Sequence, residues 1–253
     1  MNIFDSARNS DCSARWEDSA GRAETQKLLD NAILSAWHTV KSNRRPPTLT
    51  RTRWVWRLAG YYHLTHWTPL LMEQACSRFK EAERHNLARW AARKVQEEAG
   101  HDQLALRDLR AMGYRAEAVV EALFPPAAKT LVEFFTRSVQ SRDPIDCLSY
   151  SYTAERLGIC IGDAYIQKVE ALLPPRVNAT RCLRVHSAVG SEVEHVKEMV
   201  AMITELTLQE RNFVAKACHQ AASIRFSPPK AAYISDAELQ HILKPLELVN
   251  NYE

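Results

Sequence analysis

Glycine is scarce in this chain, 7 among 253 residues, and no stretch alternates β-branched with polar residues between turn dipeptides. Strands and hairpins depend on such patterns, so the fold should be nearly all α. No run approaches the roughly 20 apolar residues of a membrane helix, and the N-terminus carries no apolar signal region. The six cysteines (Cys12, Cys76, Cys147, Cys160, Cys182, Cys218) lie far apart without a C-x-x-C pair and read as reduced thiols in a soluble cytoplasmic protein. A net charge of +3 arises from 33 basic and 30 acidic residues spread along the chain, so no basic block points to nucleic acid. A Gly-rich phosphate loop, a G-x-S-x-G elbow and H-E-x-x-H are also missing, which leaves nucleotide-binding, serine-hydrolase and zincin readings without support.

What is present is an apolar content of 46%, enough to bury one substantial core. Residues 1–23 are polar and read as a tail, 24–225 as a helical domain, and 226–253 as an extension with a short helix. A first helix is expected over Ala23 to Lys41, with Leu28, Leu29, Ile33, Trp37 and Val40 inward. An aromatic helix starts near Thr50, packs Trp54 to Trp67 mainly as core, and should kink or restart at Thr68-Pro69. The next runs from about Arg84 to Met112 and stops at Gly113. Pro125-Pro126 opens a helix through Phe134 and Phe135. Asp143-Pro144 starts another to about Leu173, and Asn178 one to about Leu206. Thr207-x-x-Glu210 and Ser235-x-x-Glu238 make capping boxes for the last two.

Glu98 and His101 are three apart, a spacing that puts both on one helix face. Taking about 100° per residue, Glu98 lies in the apolar stripe of Leu87, Ala91, Val95, Ala105 and Leu109. A carboxylate there must be paired or metal-bound, and a ligand or a buried ion pair explains it equally well. Glu192 and His195 repeat the spacing on a helix whose inward stripe is Val189, Val193, Val196, Met199 and Ile203, with Glu194 solvated. Glu155 lies on the line of Leu148, Ser151, Ile159, Gly162 and Ile166; an ion pair with Arg156 or another arginine is its bland explanation. Asp102 tilts inward and Tyr152 precedes Glu155, so both are candidates to orient a ligand from behind. Two helices with this spacing and a third inward carboxylate form a hard oxygen and nitrogen donor set, which suits iron or manganese better than structural zinc. Glu73 is the partner a ferritin-like six-ligand set would need, but its helix face points to solvent.

The segments VQEEAGHDQLALRDLRAMG (Val95 to Gly113), LSYSYTAERL (Leu148 to Leu157) and RVHSAVGSEVEHV (Arg184 to Val196) resemble the haem-oxygenase-like di-iron oxidases and oxygenases, whose fold is related to thiaminase II and pyrroloquinoline-quinone synthase. The resemblance spans roughly residues 50 to 225. It implies an all-α haem-oxygenase-like bundle of about seven core helices. It also implies two irons, Fe(II)/Fe(III), held by Glu98, His101, Glu155, His186, Glu192 and His195, with no catalytic residue beyond these ligands. O2 would be the co-substrate, activated through a peroxo-diferric species to oxidise a small amine or amino-acid-type substrate by N-oxygenation or oxidative C–C cleavage. An external electron donor and a homodimer belong to the same expectation; a membrane partner does not. The alternatives are a metal-independent enzyme like thiaminase II or the quinone synthase, and a ferritin-like di-iron protein.

In that family a histidine would stand at Ala188, and His186 is two residues early. On a regular helix His186 and His195 are nine residues apart and about 180° out of register. A bulge at Gly190-Ser191 would bring His186 inward; otherwise it is a hydrogen-bonded, half-buried histidine.

Overall fold

The computed structural model describes residues 5–43, 46–189, 192–226 and 234–248, with side chains from residue 19 onward. Among these residues the chain is all α, with no strand beyond an isolated bridge between Tyr114 and Glu247. In order the helices are α1 (Asp5–Val40), α2 (Arg51–Glu81), α3 (His85–Glu98), α4 (His101–Ala111), α5 (Ala116–Ala122), α6 (Pro126–Gln140), α7 (Cys147–Gly158), α8 (Asp163–Glu170), α9 (Arg181–Val185), α10 (Glu192–Thr204), α11 (Leu208–Phe226) and α12 (Asp236–Leu243). No described helix is long and apolar enough to cross a membrane. The five cysteines with described side chains are free thiols.

Several helix ends follow local sequence chemistry. Thr50 Oγ1 accepts from the Arg53 amide at 3.1 Å and starts α2. Glu210 Oε2 accepts from the Thr207 amide at 2.8 Å while the Glu210 amide donates to Thr207 Oγ1 at 3.3 Å, a complete capping box at α11. Ser235 caps α12 through the Glu238 amide at 3.1 Å. Gly113, at φ +89°, follows α4 in the left-handed conformation that an alanine would resist.

Other boundaries differ from the sequence expectation. α1 extends back to Asp5 through the segment read as a tail. α2 continues through Pro69 without restarting. Three helices expected to be continuous are each broken: α3 from α4 at Ala99-Gly100, α7 from α8 at residues 159–162, and α9 from α10 after Val185. The Gly190-Ser191 bulge site lies outside the described residues.

The breaks share a location. Buried apolar residues form two clusters. One joins α1, the C-terminal half of α2, α3, α6, α7, α10 and α11 around Leu29, Phe79, Trp90, Phe135, Leu148 and Met199. The other joins the N-terminal half of α2 with α4, α5, α8, α9 and α12 around Trp54, Leu58, Leu109, Val119, Ile166, Leu183 and Leu239. Only α2 spans both. The pairs α3/α4, α7/α8 and α9/α10 each pass from one cluster to the other, and each breaks at the seam. In each pair one helix packs into one core and its successor into the other, with the ladder interrupted between them, whereas α2 runs into both without a break.

α9 is held in place by Asp108 of α4, a fully buried carboxylate that accepts from the Cys182 amide and from Arg181 Nη1, both at 3.0 Å. Asp108→Ala leaves that buried amide without an acceptor and should cost about 1–3 kcal/mol, measured as a lower urea midpoint at unchanged m-value. An unchanged midpoint would show that α9 is positioned by other contacts.

Candidate metal centre

Each break delivers side chains to the seam. The C-terminal half of α3 supplies Lys94, Glu97 and Glu98; Gly100, at φ +81°, then turns the chain so that His101 opens α4. Glu98 and His101 still meet, with His101 Nδ1 2.9 Å from Glu98 Oε2, but across a left-handed glycine rather than along one helix. The last turn of α7 supplies Glu155. His186 ends α9, with φ −95° and ψ 47° outside the helical region, and Glu192 and His195 lie in the first turn of α10.

The break between α9 and α10 removes the register problem expected for His186. Its ring turns inward, Nδ1 3.2 Å from Glu192 Oε1, and meets the His101 ring edge-on with centroids 4.8 Å apart. Val189 and Val193, assigned to the inward stripe, are instead 48% and 38% exposed: Val189 precedes α10, and Val193 lies off the α10 face that buries Glu192, Val196 and Met199.

Two groups of three result. In Glu98, His101 and His186, and likewise in Glu155, Glu192 and His195, one donor atom per residue lies within 4.8 Å of the other two. These are the six residues singled out from the sequence. Glu155 Oε2, Glu192 Oε2 and His186 Nε2 are buried without a hydrogen-bond partner. Unsatisfied acceptors of this kind are rare and costly in a protein interior, and all three are atoms that can ligate a cation. The donor set is oxygen and nitrogen only, and it fits iron.

Lys94, absent from the sequence reading, is also here. It is 3% exposed, and its Nζ lies 2.9 Å from Glu155 Oε1 and 2.8 Å from Glu97 Oε2. Glu97 also approaches His195, Oε2 to Nε2 at 3.7 Å. Glu155 thus has a cationic partner, on α3 rather than the Arg156 or other arginine expected. Lys94 stands three residues after Ala91 and four before Glu98, on the same helix face, so periodicity alone could have placed it inside.

Glu97, Glu98, Glu155 and Glu192 outnumber Lys94 at the seam. Burial pushes the Glu155 carboxyl up to about 8, with Glu192 and Glu98 adding to the rise and Lys94 opposing it. Burial also opposes charge on Glu98, but the His101 hydrogen bond and the charges of His186 and Lys94 hold its carboxyl below the usual range. Burial disfavours a charged His186, yet its bond to Glu192 and the proximity of Glu98 raise it overall. The first group therefore holds an ionised carboxylate at neutral pH, whereas the second holds a proton that a metal must displace.

The two candidates for orienting ligands point elsewhere. Tyr152 donates to Asp30 Oδ1 at 2.9 Å, and Asp30 is fastened by Arg156. Asp102 Oδ2 lies 3.0 Å from His66 Nδ1. Neither reaches a candidate ligand. His63 lies 3.0 Å from the carbonyls of Val120 and Leu123, a structural role. Glu73 is exposed on α2, so the ferritin-like set lacks its partner.

Gly158 marks the closest approach at the seam. A Cβ there would stand 3.1 Å from the His186 carbonyl oxygen and 3.4 Å from Glu192 Cγ. Gly158→Val should overpack this contact at a cost of about 1–3 kcal/mol and displace His186 and Glu192 together. Thermal unfolding and metal content should fall in parallel; wild-type values for both would refute the tight contact.

A cavity of about 130 Å³ opens onto the centre, lined by Glu98, Glu155, His186 and Glu192 with Tyr61, Leu64, Thr68, Tyr150, Leu157 and Ile161 among its walls. The chain has the haem-oxygenase-like fold. A domain of unknown function with a haem oxygenase-like fold from Shewanella denitrificans OS217 superposes with a TM-score of 0.61 at 18% identity, over 96% of this chain and 94% of that one. A TenA homologue from Pseudomonas syringae pv. tomato DC3000 gives 0.59 at 13% identity, over 79% and 88%. No protein-family model and no curated protein sequence matches the chain.

Proposed function

We propose that the chain is a non-haem di-iron oxidase or oxygenase that uses O2 to oxidise a small amine or amino-acid-type substrate. The observation that carries this reading is the pairing of two groups, each of one or two histidines with one or two glutamates, at one buried seam, with ligand atoms otherwise unsatisfied. Glu98, His101 and His186 would hold one iron and Glu155, Glu192 and His195 the other. Two Fe(II) held there would supply two electrons for the reduction of dioxygen to the peroxide level, any further electrons coming from the substrate or an external donor.

The chain's own residues bind and shield. Leu64, Leu157 and Ile161 give the cavity apolar walls that exclude water. The Tyr150 hydroxyl lies 3.3 Å from Thr68 Oγ1. Burial raises Tyr150, so its hydroxyl keeps its proton, and Thr68 Oγ1, which donates to the Leu64 carbonyl, is left to accept it. Asp108, through α9, holds His186 at the seam.

The Lys94–Glu155 pair favours a second reading, in which an ammonium permanently replaces metal at the second group and the enzyme is metal-independent or holds a single iron. Anaerobic addition of Fe(II), followed by metal analysis and stopped-flow mixing with oxygen, separates the two. The di-iron reading expects about two irons per chain, oxygen consumption and a transient visible absorbance. A chain that binds no iron and leaves oxygen untouched would refute it.

A further inference from the structure

A second cavity of about 310 Å³ shares Tyr61, Leu64 and Arg225 with the inner one, so the two are neighbouring chambers with a common wall. Among the described residues, its lining includes Arg53, Arg57 and Arg225 and no carboxylate. The three arginines are not equivalent. Arg53 is paired with Asp236, Nε to Oδ1 at 2.5 Å, and also bonds the Ile234 carbonyl. Arg57 donates to the Tyr165 hydroxyl. Arg225, half-buried at the junction, makes no hydrogen bond or ion pair among the described residues. It lines the inner cavity together with Glu98, Glu155, His186 and Glu192, which places it beside the candidate metal centre. A half-buried guanidinium at the junction of two cavities, beside apolar walls and with no anion from the described residues, is placed to take one from a ligand.

We infer that Arg225 is the substrate's carboxylate anchor: the acid group sits on its guanidinium at the junction, and the part to be oxidised reaches into the inner cavity. This rests on the reading that the inner cavity is the site of reaction, and it narrows the substrate class to amino-acid-type or other monocarboxylic molecules, excluding simple amines. The planar guanidinium of Arg225 matches a carboxylate through paired N–H···O bonds, while Arg53 is engaged by Asp236 and Arg57 by the Tyr165 hydroxyl. Apolar wall residues such as Tyr61 and Leu64 suit an aliphatic or aromatic body between the two ends.

The test uses metal-free full-length protein and the six-carbon probes hexanoate, hexanol, hexylamine and hexyl phosphate in ligand-observed NMR titrations. Hexanoate should bind at least tenfold more tightly than the other three. Arg225→Gln should weaken hexanoate about 10- to 100-fold, the worth of a charged hydrogen bond, leave hexanol unchanged, and Arg225→Lys should recover part of the loss. Equal hexanoate binding by wild type and Arg225→Gln, or hexanol, hexylamine or hexyl phosphate matching hexanoate on wild type, overturns the proposal. If Arg225→Gln fails to fold, the wild-type preference and the lysine variant decide on the same terms. Iron content is measured separately. A wild type that binds hexanoate through Arg225 but no iron sinks the di-iron reading alone, and two irons without Arg225-dependent hexanoate binding sink the anchor alone.

Discussion

Glu98→Ala is expected to lose one of two irons while remaining folded. Glu98 belongs to only one group of three, and its removal takes a charged oxygen from a metal that keeps only His101 and His186. Even residues that merely support ligands change metal affinity about 10- to 100-fold, so a direct ligand should matter more, and about one iron should remain after gel filtration. Folding should survive, since deleting a buried carboxylate relieves an excess of negative charge at the seam. His101→Ala and His186→Ala should lose the same iron, because both rings belong to that group. Glu192→Ala should lose the other. Retention of two irons by all three variants of the first group would dismiss it as a metal site, and retention by His186→Ala alone would return that ring to a hydrogen-bonding role with Glu192.

Lys94→Met should destabilise the metal-free protein strongly above pH 8 and only weakly near pH 6. Its ammonium is the cationic partner of the buried Glu155. Stranding an ionised buried carboxylate costs about 3–5 kcal/mol, which for a chain of this size lowers Tm by roughly 10 °C. Lys94 holds the Glu155 carboxyl down, so without it that carboxyl rises further above its ordinary value and keeps a proton near pH 6, where the variant escapes most of that cost. The same shift fixes the sign for wild type without metal. The unfolded chain gives up this proton near the ordinary value of 4.5, the folded chain only near 8, so stability contributed by the proton is present at low pH and lost as pH rises between the two. Fe(II) uptake at the second group should correspondingly release a proton and strengthen as pH rises through about 8. Iron should narrow the gap between Lys94→Met and wild type by supplying the missing positive charge. A variant as stable as wild type at pH 9 without metal would show that Lys94 does not balance Glu155.

Much of this was readable before any coordinates. The scarcity of glycine and of alternating strand patterns pointed to an all-α chain, and short-range chemistry located several boundaries: the Thr207/Glu210 box, the Ser235 cap and the Gly113 stop all act within one helical turn. Glu98, Glu155 and Glu192 were recognisable as carboxylates on inward faces, because periodicity reports burial without requiring a partner to be known. What periodicity assumes is an unbroken helix, and there it misled. His186 looked displaced from His195, and Val189 looked buried, because the ladder was taken to continue from α9 into α10.

The sequence by itself determined that Glu155 and Glu192 would be buried on helices, since hydrophobic pattern and spacing are local properties of the chain. Only the tertiary structure decided that these helices break together, that His186 turns inward, that Lys94 rather than an arginine answers Glu155, and that Arg225 stands at the junction of two cavities. Those outcomes depend on contacts between residues far apart in sequence, which no local pattern records.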